Sequence, residues 1–315
     1  MRYIETLREG ERIQETYLCR QRTTAMTKTG KEYENVILQD KTGSLDAKIW
    51  DPHSMGIDEF DALDYVEVNG DVTVFNGQTQ LSIKRARKIS ETDVDPTNYL
   101  PCTNKNIDEM MMELTKFIAG VNNPYYKQVL TKLFIDNTEF AEAFKKHSAA
   151  KSVHHGFVGG LLEHTLSVTK LSAYFADNYK ILNKDLLVCA AMFHDIGKLE
   201  ELSTFPENDY TDEGQLLGHI MIGAMEIAER IKTIDGFPVK LAHEMEHCIL
   251  AHHGELEYGS PKKPALPEAV ALSYADNIDA KMETMRELLA NVPEGDTQWQ
   301  GFNRLFESNI RRSSI

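Results

Sequence analysis

The chain reads as a multidomain α+β protein, with a small five-stranded β-barrel at the N-terminal end and an all-α bundle after it. Three observations predict this. Short β-rich runs with turn signals between them fill the region up to about residue 90, whereas apolar residues recur at three- and four-residue spacing from residue 107 onward. A stretch of Asp, Pro, Thr and Asn with no clear period separates the two regimes. The 315 residues exceed one typical domain and let each half bury its own core.

Composition excludes several classes before any motif is considered. With 42% apolar and 26% charged residues and no low-complexity tract, the whole chain is expected to fold. Met1 to Gly10 alternates charge with apolar residues, unlike a signal peptide, and no later stretch approaches about 18 uncharged apolar residues. The expectation is a cytoplasmic protein with no membrane partner. Cys19, Cys102, Cys189 and Cys248 are far apart and show no C-x-x-C spacing, so they read as reduced thiols. The formal charge of −15 argues against a broad basic surface that coats nucleic acid. It leaves room for a narrow basic channel, or for a site where divalent cations bring the positive charge to a phosphate.

The strands are taken in order as Gln14 to Arg20, Tyr33 to Leu38, Ser44 to Trp50, Tyr65 to Phe75 and Thr79 to Ile89. Lys28-Thr-Gly-Lys31, Asp40-Lys-Thr-Gly-Ser44 and Phe75-Asn-Gly-Gln78 punctuate them, Asn-Gly being the strongest short hairpin signal. Five strands in about 80 residues, with Asp51 to Asp64 inserted between the third and fourth, suit a Greek-key barrel of the OB type. Leu38 to Trp50 resembles the second and third strands of nucleic-acid-binding OB-folds, where a D-x-T-G turn precedes a strand ending in an aromatic residue. Two readings stand side by side: a tight turn with Trp50 in the core, or an RNA-facing surface.

The barrel is assigned to residues 1–92, the linker to 93–106 and the helical domain to 107–315. Helical periodicity runs through Ile107 to Val121, Tyr125 to Asp136, Thr138 to Phe144, Val158 to Tyr179, Lys184 to His194, Gly218 to Lys232, Val239 to His252 and Pro267 to Ala290. Ten of the eleven histidines lie in this half, at or after His147.

The strongest local feature is Ala190-Ala-Met-Phe-His194-Asp195-Ile-Gly-Lys198, an apolar helix that delivers a polar pair at its end. A buried metal site needs such anchoring, because imidazole and carboxylate reach a shared ion only from a fixed scaffold. Gly197 lets the chain turn, and Lys198 is placed to meet a phosphate beside the metal.

His164, then His194-Asp195 with Gly197 and Lys198, then Asp276, resembles the H…HD…D signature of HD-domain phosphohydrolases. Their settings agree: Leu161-Leu-Glu-His164 and Tyr274-Ala-Asp276-Asn-Ile-Asp279 both fall on helices. In dinuclear members extra histidines bind a second ion, with the Asp of the pair bridging both. The resemblance therefore implies His219, in Leu217-Gly-His219-Ile, and His252, in Ala251-His252-His253-Gly, as second-site ligands, leaving His253 to solvent or substrate. A pair of ions about 3.5–4 Å apart would generate hydroxide near neutral pH and clamp the attacking and leaving oxygens, so no protein nucleophile is required, with Asp195 and Lys198 the catalytic residues. Histidine and carboxylate ligands suit Mn, Fe, Co, Ni or Zn more than Ca, and spacing does not choose among them.

Other residues read as substrate handlers or as plain surface. Ala150 to Gly160 could present Lys151, His154 and His155 to phosphate, or could be a histidine-rich helix start. Tyr258-Gly-Ser-Pro-Lys262-Lys263-Pro264 is a rigid basic loop able to close the site or bind a strand's backbone, or a solvated linker. His243-Glu-Met-Glu-His247 formally fits a zincin helix with Glu244 as base, but that reading leaves the H…HD…D set unexplained.

A barrel of OB type joined to such a helical domain resembles the YhaM-type 3′–5′ exoribonucleases from about Arg12 to Asp279. The shared text is H-H-x-x-x-G-G-L-L-x-H (His154 to His164), H-D-I-G-K, G-H-I, A-H-H-G, G-S-P-K and A-D-N-I-D-A-K. The resemblance implies removal of nucleotides from the 3′ ends of single-stranded RNA, and sometimes single-stranded DNA, with Mn²⁺ the usual activator and Mg also in play. The barrel would then stack bases on Tyr33, Trp50 and Phe75, with Lys48, Lys84 and Arg87 nearby. An HD phosphohydrolase of nucleotides or cyclic dinucleotides is the alternative, and a non-catalytic single-strand-binding protein a third reading. A barrel edge and exposed helices would suit a homo-oligomer.

Overall fold

A computed structural model describes residues 1–151, 155–290 and 292–314. The chain divides into two compact units, Met1–Asn104 with Ser203–Asp209, and Lys105–Leu202 with Tyr210–Ile315.

In the first unit, β1 (Arg12–Met26), β2 (Glu32–Asp40), β3 (Gly43–Ile49), β4 (Tyr65–Phe75) and β5 (Gln78–Ile89) close into a barrel in the order β1-β2-β3-β5-β4. This is the OB-type Greek key expected from the strand pattern. Closure depends on β1 serving two neighbours: Arg12 to Leu18 pairs with β4 and Leu18 to Met26 with β2, around an irregularity between Cys19 and Gln21. The parallel β3–β5 pairing completes the ring. Asn76 and Gly77 both take positive φ, 51° and 80°, as a two-residue hairpin turn of this hand requires. Strict alternation on β2 puts Val36 and Leu38 inside, where they meet Tyr17, Leu45, Ala47, Val66 and Leu81.

The Asp40 turn proves structural. Buried Asp40 accepts from the Thr42 amide (2.7 Å) and hydroxyl (2.6 Å) with one oxygen and from the Ile4 amide (2.6 Å) with the other. Trp50, by contrast, is 48% exposed and stacks on Tyr33 with centroids 5.1 Å apart, so it is no core residue. The stretch read as linker is not a free tether in its middle. Tyr99 and Leu100 are buried, the Tyr99 ring meets Tyr65 edge-on at 4.9 Å, and Gln39 donates to the Tyr99 carbonyl. Ser203–Asp209 belongs to the same unit, where Arg20 donates to the Pro206 carbonyl.

The second unit comprises α1 (Ile107–Gly120), α2 (Pro124–Phe134), α3 (Thr138–Lys146), α4 (Gly160–Asn178), α5 (Lys184–Phe193), α6 (Lys198–Glu201), α7 (Asp212–Lys232), α8 (Val239–Leu250) and α9 (Pro267–Leu289). Asparagine starts four of them: the side chains of Asn106, Asn123, Asn137 and Asn183 accept from backbone amides of the first turn. Every residue of α5 from Leu186 to Phe193 is buried, and this helix packs against α2, α4, α8 and α9. A helix apolar on all sides is a central one, and α5 is the post around which the unit is built.

Two features depart from the sequence reading. The short α6 follows the His-Asp pair where no helix was expected, because four residues are too few to show a period. The unit is also not purely helical: β6 (Phe302–Asn303) and β7 (Ser308–Asn309) form a small antiparallel ribbon after α9. Truncating a fully buried side chain of the post, Leu187→Ala, is expected to destabilise the helical unit by about 2–5 kcal/mol. Chemical denaturation followed by circular dichroism measures this, and an unchanged midpoint would contradict the central placement of α5.

Candidate metal centre

Five helices deliver polar side chains to one buried point. His164 comes from the first turns of α4, His194 caps the C-terminus of α5 with Asp195 directly behind it, and Asp276 and Asp279 lie on α9. His219 follows a break in α7, where Gly218 leaves helical geometry (φ 73°, ψ 154°) and turns the imidazole inward. His252 and His253 leave the end of α8.

These groups fall into two sets. His164 Nε2 lies 3.1 Å from His194 Nε2, 3.3 Å from Asp195 Oδ2 and 3.2 Å from Asp276 Oδ1. His194 Nε2 is 3.4 Å from the same Asp195 oxygen. The other Asp195 oxygen, Oδ1, faces His219 Nε2 at 3.4 Å and His252 Nε2 at 3.7 Å. His253 joins this second set, its ring centroid 4.4 Å from that of His252. Asp195 thus presents one oxygen to each set.

Every imidazole of the two sets is fixed through Nδ1. His164 donates from Nδ1 to Asp279 (2.7 Å), His194 to the Ala191 carbonyl (2.8 Å) and His219 to Glu201 (2.9 Å). His252 donates to the Ile249 carbonyl (2.7 Å) and His253 to the Tyr258 carbonyl (2.8 Å). With Nδ1 committed to an acceptor, Nε2 is the atom that each of the five rings offers to the centre, the orientation a metal ligand needs.

The donor set fits divalent cations. Asp195 Oδ1, His219 Nε2 and His252 Nε2 are buried and have no hydrogen-bond partner among the described residues, a costly arrangement that a cation between them would relieve. Their protonation agrees. Burial, then the neighbouring His253 and His194, hold the His252 pKa well below the ordinary imidazole range, so the ring is neutral. Burial would raise the Asp195 pKa, but Lys198 and His194 outweigh it and keep the carboxyl ionised. For His164 burial opposes a charge, yet hydrogen bonds to Asp195, Asp276 and Asp279 raise its pKa well above normal. Three carboxylates around one imidazole ask for a positive charge, which a bound cation supplies in place of the proton.

Lys198 pairs with Asp195 Oδ2 at 2.7 Å and lines a cavity of about 490 Å³ whose wall includes His164, Asp195, His253, Tyr258 and Asp276. Of the proposed substrate handlers, His253 is at this wall, and His155, Lys151 and Lys262 are not. His155 is buried behind His164, donating from Nε2 to Asp279 at 3.0 Å, and so supports a ligand's partner rather than facing the cavity. Lys262 is exposed beside His247, and Lys151 lies 5.9 Å from the Tyr210 ring; neither lines the cavity. His154 lies outside the described residues. His247 accepts from the Ala265 amide (2.9 Å), and neither it nor His243 joins a metal-ligating group among the described residues.

On the barrel, Tyr33, Trp50 and Phe75 meet in one groove of about 480 Å³ with Lys48 and Gln80. Lys84 and Arg87 are elsewhere, paired with Asp71 and Glu67.

Of the two residues that orient the ligands, Asp279 was visible as a candidate carboxylate without an assigned role, and Glu201 was missed. Asp279 sits three residues after Asp276, on the same face of α9, a spacing visible in the sequence. Glu201 accepts from both the amide and Nδ1 of His219, across the break at Gly218 (each 2.9 Å), and nothing local announces that pairing.

A histidine, a His-Asp pair and a distal Asp converging from separate helices define an HD-domain, metal-dependent phosphohydrolase class, and residues 161–281 match the HD domain family. Over 290 residues the chain is 36% identical to the 3′-5′ exoribonuclease YhaM of Bacillus subtilis, covering 91% of this chain and 90% of that protein. The same-named proteins of Geobacillus sp. (34% over 290 residues, 91% and 88% covered) and Bacillus pumilus (33% over 294 residues, 93% and 92% covered) are similar. The chain belongs to the YhaM family of 3′-5′ exoribonucleases. Among solved structures, the second OB-fold domain of replication protein A from Methanococcus maripaludis is 19% identical, covers 29% of this chain and 95% of its own, and has a TM-score of 0.23.

Gly197 is needed for a reason other than turning. Its backbone is ordinary right-handed helix (φ −62°, ψ −14°), but a Cβ there would lie 2.1 Å from the His219 carbonyl oxygen and 2.6 Å from the Gly223 nitrogen. The His-Asp segment and α7 touch backbone to backbone at this point. Gly197→Ala is expected to cost about 1–3 kcal/mol and to weaken divalent-cation binding by pushing His219 from Asp195. Thermal melting and calorimetric titration with Mn²⁺ test this; wild-type affinity in the variant would show that the contact does not position the site.

Proposed function

We propose that the chain is a divalent-metal-dependent 3′–5′ exoribonuclease that shortens single-stranded RNA, and also accepts single-stranded DNA. The observation that carries this reading is Asp195, whose two oxygens face two separate sets of Nε2 atoms. His164, His194, Asp195 and Asp276 would hold one cation, and Asp195, His219 and His252, with His253 beside them, a second. Bound there, the cations would supply Lewis acidity toward the phosphoryl oxygens and a water acidic enough to attack phosphorus near neutral pH. Mn²⁺ is the favoured ion, with Fe, Co, Ni, Zn or Mg as the other choices for such donors.

The chain's own residues do the rest. Asp279 and Glu201 keep the two neighbouring imidazoles oriented, and Lys198, at the cavity wall, is within side-chain reach of a phosphate beside Asp195. On the barrel, the stacked Tyr33–Trp50 pair and exposed Phe75 offer flat faces to unpaired bases beside the Lys48 ammonium. Stacking accepts any base, so little sequence preference is expected.

The test uses 5′-labelled and 3′-labelled single-stranded RNA with metal-stripped protein, adding Mn²⁺, Mg²⁺ or nothing, beside Asp195→Ala. The expected result is mononucleotide release from the 3′ end that requires metal and is absent in the variant. RNA left intact with every metal would move the assignment to small nucleotides. Trp50→Ala is expected to raise the KM for RNA about fivefold or more, since stacking is worth roughly 1–3 kcal/mol per base. An unchanged KM would remove the groove from the binding surface.

A further inference from the structure

The cavity at the metal centre has a wall beyond the family match at residue 281. Arg304, Leu305 and Glu307, from the turn joining β6 to β7, line it together with Lys281 and Asn277 of α9. The turn is anchored. Asn303 accepts from the Leu305 amide (2.9 Å), the Gln300 amide donates to the Ile310 carbonyl (2.8 Å) and the Ile310 amide to the Gly301 carbonyl (3.1 Å), and Ile310 is buried. Arg312 then ties the ribbon to the end of α9 by donating to the Leu289 carbonyl (2.8 Å).

Two cations on this wall stand out. Among the described residues the side chains of Lys281 and Arg304 make no ion pair or hydrogen bond, although the chain carries 49 acidic residues against 34 basic ones and pairs many of its lysines and arginines. Among the described residues, the only carboxylate on the wall outside the centre is Glu307 of the same turn. A cavity of about 490 Å³ is of a size that takes a nucleotide-sized group. Such cations at its mouth are placed for an anion that arrives with the ligand.

We infer that the ribbon after α9 is a substrate-positioning element, in which Arg304 with Lys281 grips a backbone phosphate of the RNA strand outside the metal centre. This rests on the exoribonuclease reading above. Arg304 supplies the planar fork that matches two phosphate oxygens, and Lys281 a point charge from α9. Both are positioning residues, acting on the strand and not on the reacting phosphorus.

The experiment is steady-state degradation of single-stranded RNA by the Mn²⁺-loaded full chain at several salt concentrations, comparing wild type with Arg304→Ala, Lys281→Ala and Arg304→Lys. Arg304→Ala is expected to raise KM about tenfold, with a smaller change in kcat. Loss of one phosphate contact should also lower the slope of log affinity against log salt by roughly 0.7. Arg304→Lys should retain the slope, and Lys281→Ala should behave as Arg304→Ala does. An unchanged KM and slope in both alanine variants overturns the inference, as does a fall in kcat at constant KM, which would mean that the ribbon shapes the metal site instead. Wild-type enzyme that leaves RNA intact defeats the exoribonuclease reading itself, a separate outcome from wild-type activity with indifferent variants.

Discussion

The second unit is organised around a buried carboxylate that cannot stand alone. Asp195 is 2% exposed, lies at the end of the most apolar helix, and presents one oxygen to His164 and His194 and the other to His219 and His252. Lys198 answers one oxygen, and the other has no hydrogen-bond partner among the described residues. An uncompensated anion at that depth would be neutralised by protonation or would unfold its surroundings. Neighbouring cations hold it ionised instead, so the bundle is assembled around a place where positive charge is required.

How the helices satisfy that requirement explains why so many histidines can sit there without competing for protons. An α-helix ends with carbonyls that lack intrahelical partners. His194 and His252 each follow a helix terminus and donate Nδ1–H to the carbonyl three residues back, Ala191 in one case and Ile249 in the other. The same geometry therefore closes the helix end and fixes the tautomer of a ligand. His164 and His219, which lie inside helices where carbonyls are already used, need carboxylates for the same task and find Asp279 and Glu201. His155 adds a second donor to Asp279, which strengthens the hold on His164 from behind.

What the sequence revealed and what it hid follow this division. The two periodicities, the Asn-Gly hairpin and the apolar run into His194 are local, and the strands, α5 and the OB-type order were legible from them. The convergence of His164, His194, Asp195 and Asp276 was legible as a resemblance, because their order along the chain has a recognisable form. Of the orienting partners, Glu201 was not. Glu201 reaches His219 only because α7 breaks at Gly218 and because Gly197 lets two backbones touch, and both are facts of tertiary approach. His155 looked like a substrate handler since it precedes α4 among polar residues, yet the chain turns it inward to Asp279. The ribbon after α9 escaped notice because two-residue strands leave no period to read.

Charge limits how this chain can meet an anionic ligand. A chain with a net charge of −15 repels a polyanion at a distance, so affinity for RNA cannot come from a diffuse basic field. It has to come from short-range features that the acidic surface does not cancel. Each unit holds such a feature: aromatic faces on the barrel at Tyr33, Trp50 and Phe75, and, in the helical unit, a cation-demanding centre walled by Lys198, Lys281 and Arg304. Stacking is indifferent to charge and to base identity, whereas metal and phosphate contacts act only within a few ångströms.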